Sequence, residues 1–139
     1  MFSRLLVAAA LLLAPVCAGA AEVTVAPAEA AAMAGAHSVT LVDIRTPGEW
    51  ADTGIPSGAR TVSWGQPDFM QRMLDLVAGD RDAPLVLICR TGNRSARAVA
   101  ALREGGFTQV RHVAEGMAGG PNGPGWLTRG LPVESWTAN

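Results

Sequence analysis

Val86-Leu87-Ile88-Cys89-Arg90-Thr91-Gly92-Asn93-Arg94-Ser95 is an apolar run that ends on a thiol and continues through a glycine-centred loop with two arginines into a helical pattern. The order reads as strand, loop and helix N-terminus. A thiol there faces the unpaired N–H groups of the first helical turn, the positive end of the helix dipole and two guanidinium groups, all of which favour thiolate over thiol. The same donors suit an anion. A cysteine that only filled a core position would have no use for Arg90, Gly92 and Arg94. Cys89 is therefore read as a nucleophile beside an oxyanion cradle rather than as a small buried hydrophobe.

Upstream, residues 1–21 have the pattern of a cleavable signal peptide. Arg4 is a short positive start, Leu5 to Val16 an apolar stretch, and Ala18-Gly19-Ala20 a small-residue cleavage signal. The apolar run falls short of the roughly 20 residues that a spanning helix needs. Ala14-Pro15-Val16 is a poor context for lipid attachment at Cys17. The expectation is a periplasmic or secreted protein of bacterial type with no stable membrane insertion after cleavage. Residues 22–139 then form one domain, large enough for a single core. Its compartment would permit disulfides, yet the mature chain would hold Cys89 alone, so that thiol is either reactive or bonded to a partner.

The formal net charge is −1 and all 11 basic residues are arginine, with no basic run interleaved with aromatics. Nucleic acid is not an expected partner. His37 and His112 have no metal-ligating neighbour at a useful spacing, and one cysteine cannot complete a zinc site of the usual kinds, so no metal or cofactor is expected. Both histidines are read as non-catalytic.

Strands are expected at Val23 to Val25, Val39 to Ile44, Arg60 to Ser63, Pro84 to Ile88 and Val110 to Val113, the fourth apolar enough to be covered on both faces. Pro27 to Met33 reads as an alanine-rich helix. Pro67 opens a second helix that places Phe69, Met70, Met73, Leu74 and Val77 on one face, where the methionines are core residues rather than ligands. The helix from Arg94 to Glu104 is expected to pack through Ala96, Val99 and Ala100, with Arg97 solvated. Gly54 to Gly58 reads as a turn, Trp126 and Leu127 as cover for the domain's edge, and Trp136 as part of a terminal tail. The alternation implies an α/β fold with an open, mainly parallel five-stranded sheet, helices on both faces and right-handed crossovers.

Cys89-Arg90-Thr91-Gly92-Asn93-Arg94-Ser95 resembles the active-site loop of a rhodanese-homology domain, the sulfurtransferase module. Asp43-Ile44-Arg45-Thr46-Pro47-Gly48-Glu49-Trp50, Gly54-Ile55-Pro56-Ser57-Gly58-Ala59, Glu115-Gly116, Gly125-Trp126 and Gly130-Leu131-Pro132-Val133 support the resemblance in the family's order. It implies the same architecture and a chemistry in which Cys89 takes sulfane sulfur from a small anionic donor such as thiosulfate. The resulting persulfide passes to a thiol, to a cyanide-like acceptor or to a protein acceptor. Arg90, Thr91, Gly92, Asn93, Arg94 and Ser95 are the substrate-binding candidates, with Arg90 and Arg94 for the donor's charge. Asp43, Arg45 and Glu49 are supporting residues, read as an ion-paired brace around Arg45 or an arginine of the loop rather than as acid or base.

Two other functions share these features. Phosphatases and arsenate reductases also hold a cysteine in an amide-lined loop with an arginine, but their loop is longer by one residue than the Cys89-to-Arg94 spacing. A persulfide carrier or docking module without turnover of its own is the alternative from outside enzymology. The run Met117 to Gly125 departs from the family pattern, lacks the Lys-Ser/Thr ending of a phosphate loop, and is expected to shape one wall of the pocket.

Overall fold

The computed structural model describes residues 23–138, so the expected leader at 1–21 lies outside the described residues. None of the described helices is long and apolar enough to cross a membrane. In chain order the elements are α1 Pro27–Gly35, β1 Thr40–Asp43, α2 Pro47–Thr53, β2 Ile55–Pro56, β3 Arg60–Thr61, α3 Phe69–Leu76, β4 Leu85–Ile88, α4 Asn93–Glu104, β5 Val110–His112 and β6 Val133–Glu134.

Four strands form a parallel sheet in the order β3-β1-β4-β5. Side chains alternate across a strand, so β1 and β4 feed two cores at once. Val42, Ile44, Leu85 and Leu87 meet Phe69 and Met73 of α3 and Ala98, Val99 and Leu102 of α4 on one face. Leu41, Val86 and Ile88 meet Ala30 of α1 together with Met117 and Trp126 on the other. Helices on both faces of a parallel sheet follow directly.

The expected fifth strand is reduced to a single parallel bridge, Thr24 to His112. Val25 N donates to His112 O at 3.0 Å and His112 N to Val23 O at 2.9 Å. Pro27 then starts α1 and ends the pairing after those two bonds.

Other features add to the expected pattern or differ from it. Residues 47–53 form a helix because Thr46 and Glu49 make a capping box in front of Pro47. The turn at Gly54 to Gly58 contains a short strand, which pairs antiparallel with β6 and draws the tail onto the domain. Trp136 thereby packs against Trp50, with ring centroids 5.1 Å apart, and Trp126 is a buried core residue rather than edge cover. In α4 the buried residues are Ser95, Ala98, Val99 and Leu102, while Ala96 and Ala100 face solvent. Ser95 is anchored to Cys89 and sets that helical phase.

Candidate active site

Parallel strands present their C-terminal ends to a common crevice, and there β4 delivers Cys89 while β1 delivers Asp43 and Arg45. Cys89 is 1% exposed. Its Sγ accepts the backbone N–H of Gly92 at 3.2 Å and that of Ser95 at 3.4 Å. The N–H groups of Arg90, Thr91, Asn93 and Arg94 have no acceptor among the described residues. A loop that aims two donors at sulfur and leaves four more unpaired is an anion-binding nest.

Gly92 makes this loop possible. It lies in the left-handed region at φ 94°, and a Cβ there would run into the carbonyl of Ala114. Gly92→Ala is expected to cost about 1–3 kcal/mol in urea denaturation. Sulfur transfer should fall further than stability, because the N–H on Sγ moves with the backbone.

The Glu115 to Gly125 segment buttresses the loop from below. Met117 N donates to Cys89 O and Ala118 N to Arg90 O, both at 2.9 Å. A Cβ on Gly116 would collide with the Arg90 carbonyl. The backbone of 116–118 makes these bonds, and Gly120 to Pro124 follows as a turn closed by a Gly120–Gly123 bridge, with Gly120 beside Thr91 of the loop.

Arg94 takes the ion-paired place that was one of the two expected of it. Its Nη1 and Nη2 are 2.8 and 2.7 Å from the two carboxylate oxygens of Glu49, a bidentate pair that turns it into a brace between α2 and the loop. The pair uses two of the five N–H donors of Arg94 and fixes the direction of the others. Arg90, next to Cys89 in the loop, is exposed and makes no side-chain bond among the described residues. Thr91 and Asn93 lie on either side of Gly92 in the same loop. Ser95 is fully buried beside the sulfur, which both its N–H and its hydroxyl approach.

The hydrogen bond to Arg94 holds the Glu49 carboxyl at about 2, against 4.5 ordinarily. Glu49 acts in turn on Arg94, whose affinity for its proton is raised first by that bond and then by the negative charges of Glu49, Cys89 and Asp43. A carboxyl depressed by folding stabilises the fold above its unfolded value and loses that contribution as pH falls through the folded one. The urea midpoint of the wild type should therefore exceed that of Glu49→Gln above pH 4.5, with the gap closing as pH falls to about 2. A gap that persists at the lowest pH would show that the bridge carries no such linkage.

Asp43 and Arg45 form a separate, buried pair. Arg45 Nη2 lies 2.8 Å from Asp43 Oδ2, and its other bonds reach Thr53 Oγ1 and the carbonyls of Glu49 and Gly54. The pair pins the C-terminal end of α2 to β1. Both readings of the brace are thus realised, each by a different carboxylate.

His112, read from sequence as a bystander, has Nδ1 2.8 Å from Ser95 Oγ, which is itself 3.4 Å from Cys89 Sγ. Strand register explains the encounter: His112 pairs with Leu87, two residues before Cys89, and so faces α4 as Cys89 does. Burial lowers its pKa, with Glu115 opposing. No run of neighbouring residues could have announced this contact. Among the described residues no group of three or more His, Cys, Asp or Glu is placed to hold a metal.

The fold therefore places a thiol in an amide nest at the C-terminal edge of a parallel sheet. Residues 26–120 match the rhodanese-like domain model, and the chain belongs to that family. Among its relatives, a sulfurtransferase of Allochromatium vinosum is 34% identical over 101 residues, covering 73% of this chain and 83% of that protein. The thiosulfate sulfurtransferase GlpE of Stutzerimonas stutzeri is 36% identical over 84 residues, covering 60% and 71%. The solution structure of a polysulfide-sulfur transferase homodimer from Wolinella succinogenes superposes with a TM-score of 0.64 at 28% identity, covering 84% of this chain and 80% of that one.

Proposed function

We propose that the protein is a sulfurtransferase that carries sulfane sulfur on Cys89, with thiosulfate or a similar small anion as donor. The observation that carries this reading is the pair of backbone N–H groups on Cys89 Sγ inside a loop with further unpaired donors. Such a nest suits a negative sulfur both before and after transfer, as a thiolate and as a persulfide.

Each step balances. The thiolate attacks the outer sulfur of thiosulfate, a Cys89–sulfur bond forms, and the sulfur–sulfur bond of the donor breaks with its electron pair leaving on sulfite. A thiol or cyanide then attacks the outer sulfur, takes it away as a hydropersulfide or thiocyanate, and returns the thiolate. The leaving groups are stable anions, so no acid or base is required at Asp43 or Glu49, in keeping with their ion pairs. Arg90 draws the donor's charge to the mouth of the loop.

Intact mass spectrometry tests the reading. Thiosulfate should add one sulfur to the protein, and cyanide should remove it with thiocyanate appearing. A reactive thiol that takes no sulfur from thiosulfate or mercaptopyruvate would move the assignment to a partner-fed carrier. Turnover of arsenate or aryl phosphates would move it to the oxyanion chemistries. We further propose that residues 1–21 are an export leader and that the protein acts in the periplasm or outside the cell. N-terminal sequencing of the exported protein tests this, with a start near Ala21 or Glu22 expected.

A further inference from the structure

Behind the sulfur lies a buried polar chain that the transfer steps do not use. Ser95 Oγ stands 3.4 Å from Cys89 Sγ, 3.2 Å from the Gly92 carbonyl and 2.8 Å from His112 Nδ1. Ser95 is fully buried and His112 is 5% exposed. A hydroxyl has one hydrogen to donate, and a neutral imidazole is a donor at one nitrogen and an acceptor at the other. The three neighbours of Ser95 Oγ therefore compete for one proton direction.

We propose that His112 is a positioning residue that sets the direction of the Ser95 hydroxyl according to the charge on Cys89. When Nδ1 is bare, the hydroxyl donates to His112 or to Gly92 and turns a lone pair toward the S–H of the neutral thiol. When Nδ1 carries the imidazole proton, it donates to Ser95 Oγ and the hydroxyl hydrogen swings onto sulfur. The anion then gains a third donor beside the N–H groups of Gly92 and Ser95. The exchange moves the imidazole's own proton between its two nitrogens and leaves the ring neutral, so no co-reactant is needed.

The surroundings favour a neutral ring. Burial disfavours the imidazolium, and Glu115, on the loop after β5, acts in the opposite sense. From α4, which packs on β5, Arg103 is committed to the Val110 carbonyl and Arg94 to Glu49. The thiol of Cys89 faces the chain from β4. Ser95 lies between the ring and the sulfur, so His112 acts through the hydroxyl and not on substrate.

The inference rests on Cys89 being the sulfur carrier, but it is tested on the thiol itself. Thiolate absorbance is followed against pH for the wild type, His112→Leu, His112→Asn and Ser95→Ala, each with the matching Cys89→Ser background subtracted. In Ser95→Ala the ionisation midpoint should rise by about one pH unit, the loss of one hydrogen bond to a charged group, and in His112→Leu by a smaller amount, because the hydroxyl keeps its hydrogen but loses the Nδ1 donor that turns it onto sulfur. His112→Asn, whose amide can also donate to Ser95, should recover most of the shift. Nitrogen NMR of the wild-type imidazole supplies a reading that needs no substitution at His112: the Nδ1 and Nε2 signals should exchange donor and acceptor character as the thiol ionises. Equal midpoints in folded variants, or ring signals indifferent to Cys89 ionisation, would overturn the proposal. Failure of thiosulfate to add sulfur, with the midpoints shifted, would instead count against the proposed function alone.

Discussion

Cys89→Ser is expected to lose sulfur transfer by about a thousandfold or more while folding normally. Serine keeps the volume and the hydrogen-bonding of the site but is not ionised at neutral pH, and an unactivated hydroxyl does not attack sulfane sulfur at a useful rate. The residual rate would be that of binding alone, since the nest formed by the Gly92 and Ser95 N–H groups remains. Two measurements decide it: thiocyanate production from thiosulfate and cyanide, and the mass of the protein after donor treatment. Transfer retained within tenfold of the wild type would exclude Cys89 as the carrier. Cys89 is the free cysteine among the described residues, so an added sulfur in the wild type alone would locate the persulfide.

The largest loss of stability is expected from Asp43→Ala. Arg45 is 2% exposed, and Asp43 receives its Nε and Nη2 along with its backbone N–H. Without the carboxylate a guanidinium stays buried among neutral acceptors, which costs about 3–5 kcal/mol. Against a total stability of about 5–15 kcal/mol for a domain, such a change brings the protein near its unfolding threshold. The substitution also frees the C-terminal end of α2, and with it the helix that presents Glu49 to Arg94. Urea denaturation should show the drop. Asp43→Leu combined with Arg45→Met should recover much of it, because removing both charges leaves neither one unpaired. A single variant as stable as the wild type would mean that the pair is not holding the fold.

The two arginine pairs and the thiol show how local and distant information combine in this chain. The apolar run before Cys89, the glycine after it and the helical pattern beyond are adjacent in sequence, so the nest was readable from residues 86–95 alone. The covalent order of strand, loop and helix dictates that geometry wherever the element sits. The family resemblance rested on the same adjacency. Thr46 and Glu49 likewise carried a readable capping box, but the helix is only 7 residues long with a glycine at its second position, and periodicity has too few turns to register there.

Partner choice among the charged residues was settled differently. Asp43, Arg45, Glu49 and Arg94 allow several pairings in one dimension, and the packing of α2 across the end of β1 selects Asp43 with Arg45 and Glu49 with Arg94. Arg94 thereby joins α2 to the reactive loop, while Arg90 carries no such pair among the described residues. The phase of α4 also depends on a tertiary contact, since Ser95 turns inward to reach a sulfur six positions back. His112 is the clearest case. Its meeting with Ser95 requires the parallel register of β4 and β5, with His112 opposite Leu87, and register belongs to the sheet as a whole. The sequence alone determined the thiol's place and its amide nest, because neighbouring residues build them. Tertiary structure decided which charges pair and what stands behind the sulfur, because those contacts join strands and helices far apart along the chain.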